Sequence, residues 1–118
     1  MRFLLAGALL ALLPSIASAQ FPDNVAPYVQ VTSTSQKTTF SFLDGNGFSD
    51  LNLNTLHVRV NNTDRTVDLL AFVSAGFADI SVMENGFQII IPGDYRNLNI
   101  FAQIRDSKGN RGNDTNQN

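Results

Sequence analysis

Short runs of alternating apolar and polar residues, separated by turn-forming residues, constrain the fold of this 118-residue chain more than any other feature. In residues 56–60, three aliphatic side chains alternate with His57 and Arg59. Because successive side chains of a strand point to opposite faces, this pattern is typical of a strand with one buried face. Beyond residue 19, no stretch of the sequence keeps the 3.6-residue apolar period of an amphipathic helix.

The runs predict seven strands, at residues 28–32, 38–43, 56–60, 66–73, 77–83, 87–91 and 98–104. Asn85-Gly86 favours a tight hairpin turn, because both residues tolerate the positive backbone angles that such a turn needs. Residues 69–73 are apolar on both faces, which suits a strand covered on each side. We therefore predict an all-β, antiparallel fold of about seven strands in two facing sheets, in preference to a barrel.

Residues 1–19 predict a cleaved secretory signal peptide. Arg2 precedes an apolar run at residues 3–13, and Ala17 and Ala19 are the small residues that a signal peptidase reads. The run covers 11 residues, whereas a membrane-spanning helix needs about 20. We therefore expect a secreted or periplasmic protein with no transmembrane segment after signal cleavage, in which residues 20–27 lead into the folded domain.

The composition excludes several classes of protein. The chain contains no Cys, which rules out a disulfide scaffold, a thiolate metal site and a cysteine nucleophile. Its formal net charge of -2 and 15% charged residues provide no basic field, so we expect no nucleic-acid partner. The stability of the domain must therefore come from a packed apolar core, to which a bound ion can add.

Two segments of the sequence resemble bacterial immunoglobulin-like domains. Residues 40–50 and 56–62 are similar to the second and third strands of that family, and residues 99–110, which end in Asp-Ser-Lys-Gly-Asn, are similar to its penultimate strand. The resemblance covers roughly residues 28–112 and implies an immunoglobulin-like sandwich at residues 28–106. Such domains act as spacers or binding modules in adhesins, surface-layer proteins and carbohydrate-active enzymes.

The final segment, residues 107–118, contains no apolar residue. Its Gly and Asn content favours disorder, and the alternative is a weak polar edge strand. The family's last strand is hard to find there, so the resemblance leaves open whether the domain closes its sheet unaided.

In an immunoglobulin-like sandwich, the loop after the second strand and the loop after the sixth lie at the same end of the molecule. The resemblance therefore implies that several oxygen-bearing side chains gather there, namely those of Asp44, Asn46, Asp50, Asp106 and Asn110. Calcium takes six to eight oxygen ligands, so these residues are a candidate calcium site. The alternative is that the same side chains cap turns by bonding to nearby backbone groups.

Three aromatic residues, Phe48, Tyr95 and Phe101, fall in loops or on the outward side of predicted strands. A flat aromatic patch grips carbohydrate rings in many sugar-binding modules, so these residues are candidates for ligand binding. The alternative is that Phe48 plugs one end of the sandwich and Phe101 packs under a loop.

The sequence shows no catalytic set. His57 is the only imidazole and lies within a predicted strand, and no nucleophile-elbow motif is present. We therefore predict a non-enzymatic module that binds a cell-surface, carbohydrate or protein ligand. The alternatives are an assembly protein that pairs through an exposed edge strand, at residues 87–91 or 98–104, or a small periplasmic inhibitor.

Overall fold

The computed structural model describes residues 25–117 and shows a sandwich of two antiparallel four-stranded sheets. The predicted signal peptide and residues 20–24 of the predicted lead-in lie outside the described residues. The all-β sandwich is thus confirmed, with eight strands instead of seven. Within the described part of the chain, no helix combines the length and the apolar character needed to cross a bilayer.

The first sheet has the strand order β1-β2-β6-β5. Its strands are β1 (Tyr28–Ser33), β2 (Lys37–Leu43), β5 (Asp79–Met83) and β6 (Gly86–Pro92). The β2–β6 register places Phe42 beside Phe87, and their rings stack with centroids 4.8 Å apart. Both side chains are buried, so the alternation seen in the sequence directs the phenylalanines of β2 and β6 into the core.

The second sheet has the strand order β4-β3-β7-β8. Its strands are β3 (Leu51–Val60), β4 (Thr63–Asp64), β7 (Ile100–Asp106) and β8 (Arg111–Thr115). The β3–β7 register shifts between Asn52 and His57. Within this irregularity, the Thr55 hydroxyl donates to the Asn52 carbonyl at 2.6 Å and accepts the Arg105 amide at 2.8 Å, which keeps the two strands joined.

The predicted strand at residues 66–73 is wrong, because these residues form the helix α1 (Thr66–Ser74). The Asp64 carboxylate accepts the Thr66 amide at 2.9 Å and the Thr66 hydroxyl at 2.8 Å, which fixes the first turn of the helix. An apolar run of this length is compatible with either a covered strand or a helix, so periodicity alone does not distinguish them.

One hydrophobic cluster fills the space between the sheets. The predicted inward face of β7 is confirmed, since Ile100, Ala102 and Ile104 are all buried. Only Leu69 of α1 is buried. The helix therefore packs against the side of the sandwich with a single deeply inserted residue.

Strands β1 and β8 close one side of the sandwich through side-chain contacts. The Val31 amide donates to Asp114 Oδ2 at 2.8 Å, and Asn116 Nδ2 donates to the Ser33 hydroxyl at 2.8 Å. At Gly112 a Cβ would lie 2.0 Å from the Pro27 carbonyl oxygen, so this close approach requires glycine. Residues 111–115 thus form an ordered edge strand, and the disorder that their composition favoured is not observed.

Candidate metal centre

Three carboxylates converge at one end of the sandwich. Asp44 follows β2, Asp50 ends a single-turn 3-10 helix (Phe48–Asp50), and Asp106 is the last residue of β7. One oxygen atom of each carboxylate lies within 4.8 Å of the others. We call these three residues the acidic cluster, and their arrangement could hold a metal ion.

Asp44 is only 5% exposed and is held by backbone contacts. Its amide donates to the Asn85 carbonyl at 2.8 Å, and the Phe48 amide donates to the Glu84 carbonyl at 3.0 Å. The β2–β3 loop is therefore fixed on the β5–β6 hairpin. Within the loop, Asp44 Oδ1 accepts the Asn46 amide at 2.8 Å, which is the turn-capping role typical of aspartate.

Asp50 connects the β2–β3 loop to the β7–β8 turn. The Ser107 amide donates to the Asp50 carbonyl at 2.7 Å, and the Ser107 hydroxyl donates to Asp50 Oδ1. Ser107 is a residue of the site that the sequence did not single out. The available signal was its position directly after Asp106, at a strand end.

Asp106 is 2% exposed and organises the β7–β8 turn. Its Oδ1 accepts the amides of Lys108 and Asn110, both at 2.9 Å, and its Oδ2 accepts Asn110 Nδ2 at 2.9 Å. The turn-capping alternative is therefore realised at Asp44 and Asp106. A carboxylate oxygen has two acceptor positions, so capping a turn does not prevent the same group from binding a cation.

The electrostatics of the acidic cluster favour a cation. The Oδ2 atoms of Asp44 and Asp50 are shielded from solvent, and Asp106 is buried as well. Ionised carboxylates held close together in a poorly solvated place repel one another, and nearby positive charge relieves that repulsion. A divalent ion placed between the three carboxylates would supply that charge.

The two predicted amide ligands are placed differently. Asn110 lies beside the acidic cluster and donates its side-chain nitrogen to Asp106. Asn46 is exposed, and its backbone amide is the group that contacts Asp44. The structure thus brings the three acids together, with Asn110 next to them.

The three predicted aromatic ligand residues lie in different places. Phe48 is half-buried and packs edge-on against Phe87, with ring centroids 6.1 Å apart. Phe101 lies under the Arg59 guanidinium, which is 4.5 Å from its ring centroid. Tyr95 lines a cavity described below. No ring contact among residues 25–117 joins any two of these three.

His57 lies on β3, with Nδ1 3.8 Å from Asp64 Oδ2. Both side chains are substantially exposed, and Asp64 is engaged in fixing the start of α1. This pair is a surface contact of small energetic value.

A second feature, which the sequence did not reveal, is an apolar cavity of about 410 Å³ between α1 and the two sheets. We call it the α1 cavity. It is lined by residues of β2, β3, β6, β7, α1 and the β6–β7 loop and by Arg65, which precedes α1: Phe40, Val58, Val60, Arg65, Asp68, Leu69, Ala71, Phe72, Ile91, Tyr95, Leu98 and Ile100. The expected strand at residues 66–73 left no room for such a cavity. The available signal was an apolar segment that follows a helix-capping Asp-x-Thr.

No protein-family model, curated protein or solved structure matches this chain. The fold and the acidic cluster therefore define its class by themselves. It is a β-sandwich in which three acids at one end could hold a metal ion.

Proposed function

We propose that this protein is an exported, non-enzymatic binding module of immunoglobulin-like type, and that calcium organises the end loops that recognise its ligand. The strand order supports the family resemblance. In immunoglobulin nomenclature, β1-β2-β6-β5 corresponds to strands A-B-E-D and β4-β3-β7-β8 to C′-C-F-G. Export rests on the signal peptide predicted at residues 1–19.

The observation that carries the proposal is the convergence of three carboxylates from two chain segments, the β2–β3 loop and the end of β7. Calcium bound to Asp44, Asp50 and Asp106 would tie the β2–β3 loop to the β7–β8 turn at a point where Ser107 already bridges them. Three monodentate carboxylates supply three of the six to eight oxygens that calcium takes. Water, Asn110 or ligand oxygens would complete the coordination.

Open calcium coordination determines the kind of ligand that we expect. The hydroxyl groups of a sugar and the carboxylate or carbonyl groups of a protein loop are hard oxygen ligands of the type that calcium prefers. A carbohydrate or a protein surface is therefore the partner that this end of the sandwich would recognise. Phe48, which lies in the same loop as Asp44, would offer a neighbouring apolar edge.

Thermal unfolding with added calcium tests the proposal. Calcium at about 100 times its Kd should stabilise the fold by about 2.7 kcal/mol, which raises the Tm by roughly 10 °C or more for a domain of this size. Asp50→Asn should abolish this increase. Asp79→Asn is the matched control, because Asp79 is an exposed acid outside the acidic cluster.

A Tm that stays constant up to millimolar calcium would contradict the proposed calcium site. Magnesium should raise the Tm less than calcium at equal concentration, because Mg²⁺ demands near-octahedral geometry and gives up its water reluctantly, whereas Ca²⁺ accepts flexible coordination by protein oxygens. Once calcium binding is established, a glycan array with calcium and then with a chelator distinguishes carbohydrate from protein recognition.

A second candidate function is self-assembly through an edge strand. The predicted edges at residues 87–91 and 98–104 are wrong, because β6 lies between β2 and β5 while β7 lies between β3 and β8. The favoured edge is β5, in which all five residues are exposed and Ile80 and Val82 are 49% and 62% exposed. The strand contains neither Lys nor Pro, which commonly protect natural edges.

We infer that the partner of β5 would be a second copy of β5. Antiparallel pairing centred on Ser81 places Ile80 opposite Val82 and Asp79 opposite Met83, so no like charges meet. Analytical ultracentrifugation should show a dimer that Val82→Lys dissociates. The control Leu53→Lys, at another exposed aliphatic residue, should leave the dimer intact. A wild-type protein that stays monomeric at high concentration contradicts this candidate.

A further inference from the structure

We propose that the α1 cavity is a binding site for an uncharged apolar small molecule. The site is independent of calcium, because it lies at the other end of the strands that carry the acidic cluster. Ile100 begins β7 and Asp106 ends it. Similarly, Ile91 lies near the end of β6, while Gly86 at its start pairs with Leu43, next to Asp44.

The lining of the cavity defines the chemistry of the ligand. Its inner surface consists of core side chains such as Phe40, Val58 and Ile100, all of which are buried. Its two charged residues are Arg65 and Asp68, and they pair with each other, Nη1 to Oδ2, at 3.2 Å. The cavity therefore offers no net charge to a ligand, and apolar contact provides the affinity.

The size of the cavity sets the size of the ligand. An engineered apolar cavity of about 150 Å³ stays dry and binds benzene. The α1 cavity, at about 410 Å³, is therefore large enough for a molecule about two to three times the volume of benzene. Linked or fused pairs of aromatic rings and branched hydrocarbons of similar bulk fit this description.

The helix forms a wall that is held at its two ends. At its start, the Thr66 hydroxyl accepts the Val58 amide at 2.8 Å. After its end, the Phe77 amide donates to the Phe72 carbonyl at 2.9 Å, and the rings of Phe72 and Phe77 meet edge to face. Between these ends only Leu69 is buried. Such a lightly packed wall can adjust to the shape of a ligand without disturbing the sheets.

Two fluorescent probes with the same ring system test the proposal. N-phenyl-1-naphthylamine is uncharged, and 1-anilinonaphthalene-8-sulfonate carries a sulfonate on the same skeleton. Titration of the purified protein with the uncharged probe should saturate at one molecule per chain. The sulfonated probe should bind at least about ten-fold more weakly, because its sulfonate would lose its hydration in the cavity without gaining an unpaired positive group there. Equal or tighter binding of the sulfonated probe would overturn the assignment of an uncharged ligand.

Variants locate the binding site. Leu98→Glu places a charge at a half-buried residue that lines the cavity. It should lower the affinity for the uncharged probe at least about ten-fold. Leu70→Glu is the matched control, because Leu70 is 47% exposed on α1 and does not line the cavity. If Leu70→Glu lowers the affinity for the probe as much as Leu98→Glu does, the probe binds the outer surface of the helix and the proposal is wrong.

A second variant tests the location of the binding site without introducing a charge. Ala71 is an exposed residue that lines the cavity, so Ala71→Trp should block it and abolish saturable binding, whereas Val67→Trp adds the same side chain at an exposed residue of α1 that does not line the cavity. Circular dichroism and the Tm of each variant establish that the sandwich is intact. Unchanged probe affinity in a folded Ala71→Trp or Leu98→Glu protein would overturn the proposal.

Discussion

The two ends of this sandwich are built from the same strands but are held together by different interactions. At the acidic end, backbone amides and the Ser107 hydroxyl connect the β2–β3 loop, which carries Asp44 and Asp50, to the end of β7, which carries Asp106. At the other end, apolar side chains surround a cavity that is covered by α1. The first end is organised by directional hydrogen bonds and charge, and the second by non-directional packing, so the two ends should respond differently to the same kinds of change.

The difference also explains what could be predicted from the sequence. The acids lie at strand ends, since Asp44 follows β2, Asp50 precedes β3 and Asp106 ends β7. Strand ends in a sandwich have fixed positions, so the family resemblance was enough to gather the acids at one end. The α1 cavity depends on residues 66–74 being a helix. Their apolar pattern is compatible with either structure. The contact of Thr66 with Asp64 is local and could have indicated a helix start, whereas the contact of Thr66 with Val58 depends on the fold.

The edges of the sheets were also beyond prediction. β6 and β7 are among the most regular apolar segments of the sequence, yet both are central strands. Alternation indicates that a segment is a strand with a buried face, but it does not indicate which neighbours the strand pairs with. The polar strand β8 was hard to recognise because no apolar side chain holds it in place. It is held by the hydrogen bond from the Val31 amide to Asp114 and by a close backbone approach at Gly112, which has no side chain.

The largest effect should come from truncating the core that both ends share. Phe42 is fully buried and stacks on Phe87 below the acidic cluster. Phe42→Ala should destabilise the protein by about 3–5 kcal/mol, measured by chemical denaturation. If the ends form one cooperative unit, probe binding and calcium stabilisation should be lost over the same denaturant range. Separate transitions for the two signals would show that the ends unfold independently.

Removing the acid that organises the β7–β8 turn should have the next largest effect. Asp106→Ala leaves the partly buried amides of Lys108 and Asn110 without their acceptor and should cost about 1–3 kcal/mol in denaturation experiments without calcium. Asp106→Asn keeps one oxygen acceptor and should cost less. In both variants the uncharged probe should still bind, because the α1 cavity lies at the other end. Loss of probe binding in folded Asp106→Asn would break the proposed independence of the two ends.

A matched pair of aromatic truncations should sharpen the comparison. Phe48 packs on Phe87 at the acidic end, and Tyr95 lines the cavity at the other, and both side chains are half-buried. Phe48→Ala should cost about 1–2 kcal/mol and leave probe affinity unchanged. Tyr95→Ala should reduce probe affinity and leave the calcium-induced rise in Tm unchanged. Denaturation and the two binding titrations measure these effects, and the same response from both variants would contradict the separation.

The smallest effect should be a local response of α1 to acid. Hydrogen bonds from the Thr66 amide and hydroxyl lower the pKa of Asp64, with a further contribution from His57. Because the folded pKa lies below the unfolded one, the stabilisation by Asp64 is present above the ordinary aspartate pKa of about 4 and is lost as the pH falls through the folded value. The amide chemical shift of Thr66, whose N–H donates to Asp64, should therefore change below about pH 4. Asp64→Asn should remove this change, whereas Asp94→Asn should not, because the pKa of Asp94 is lowered by Arg96 in a different loop. An acid response of α1 that survives in Asp64→Asn would show that another group controls the wall of the cavity.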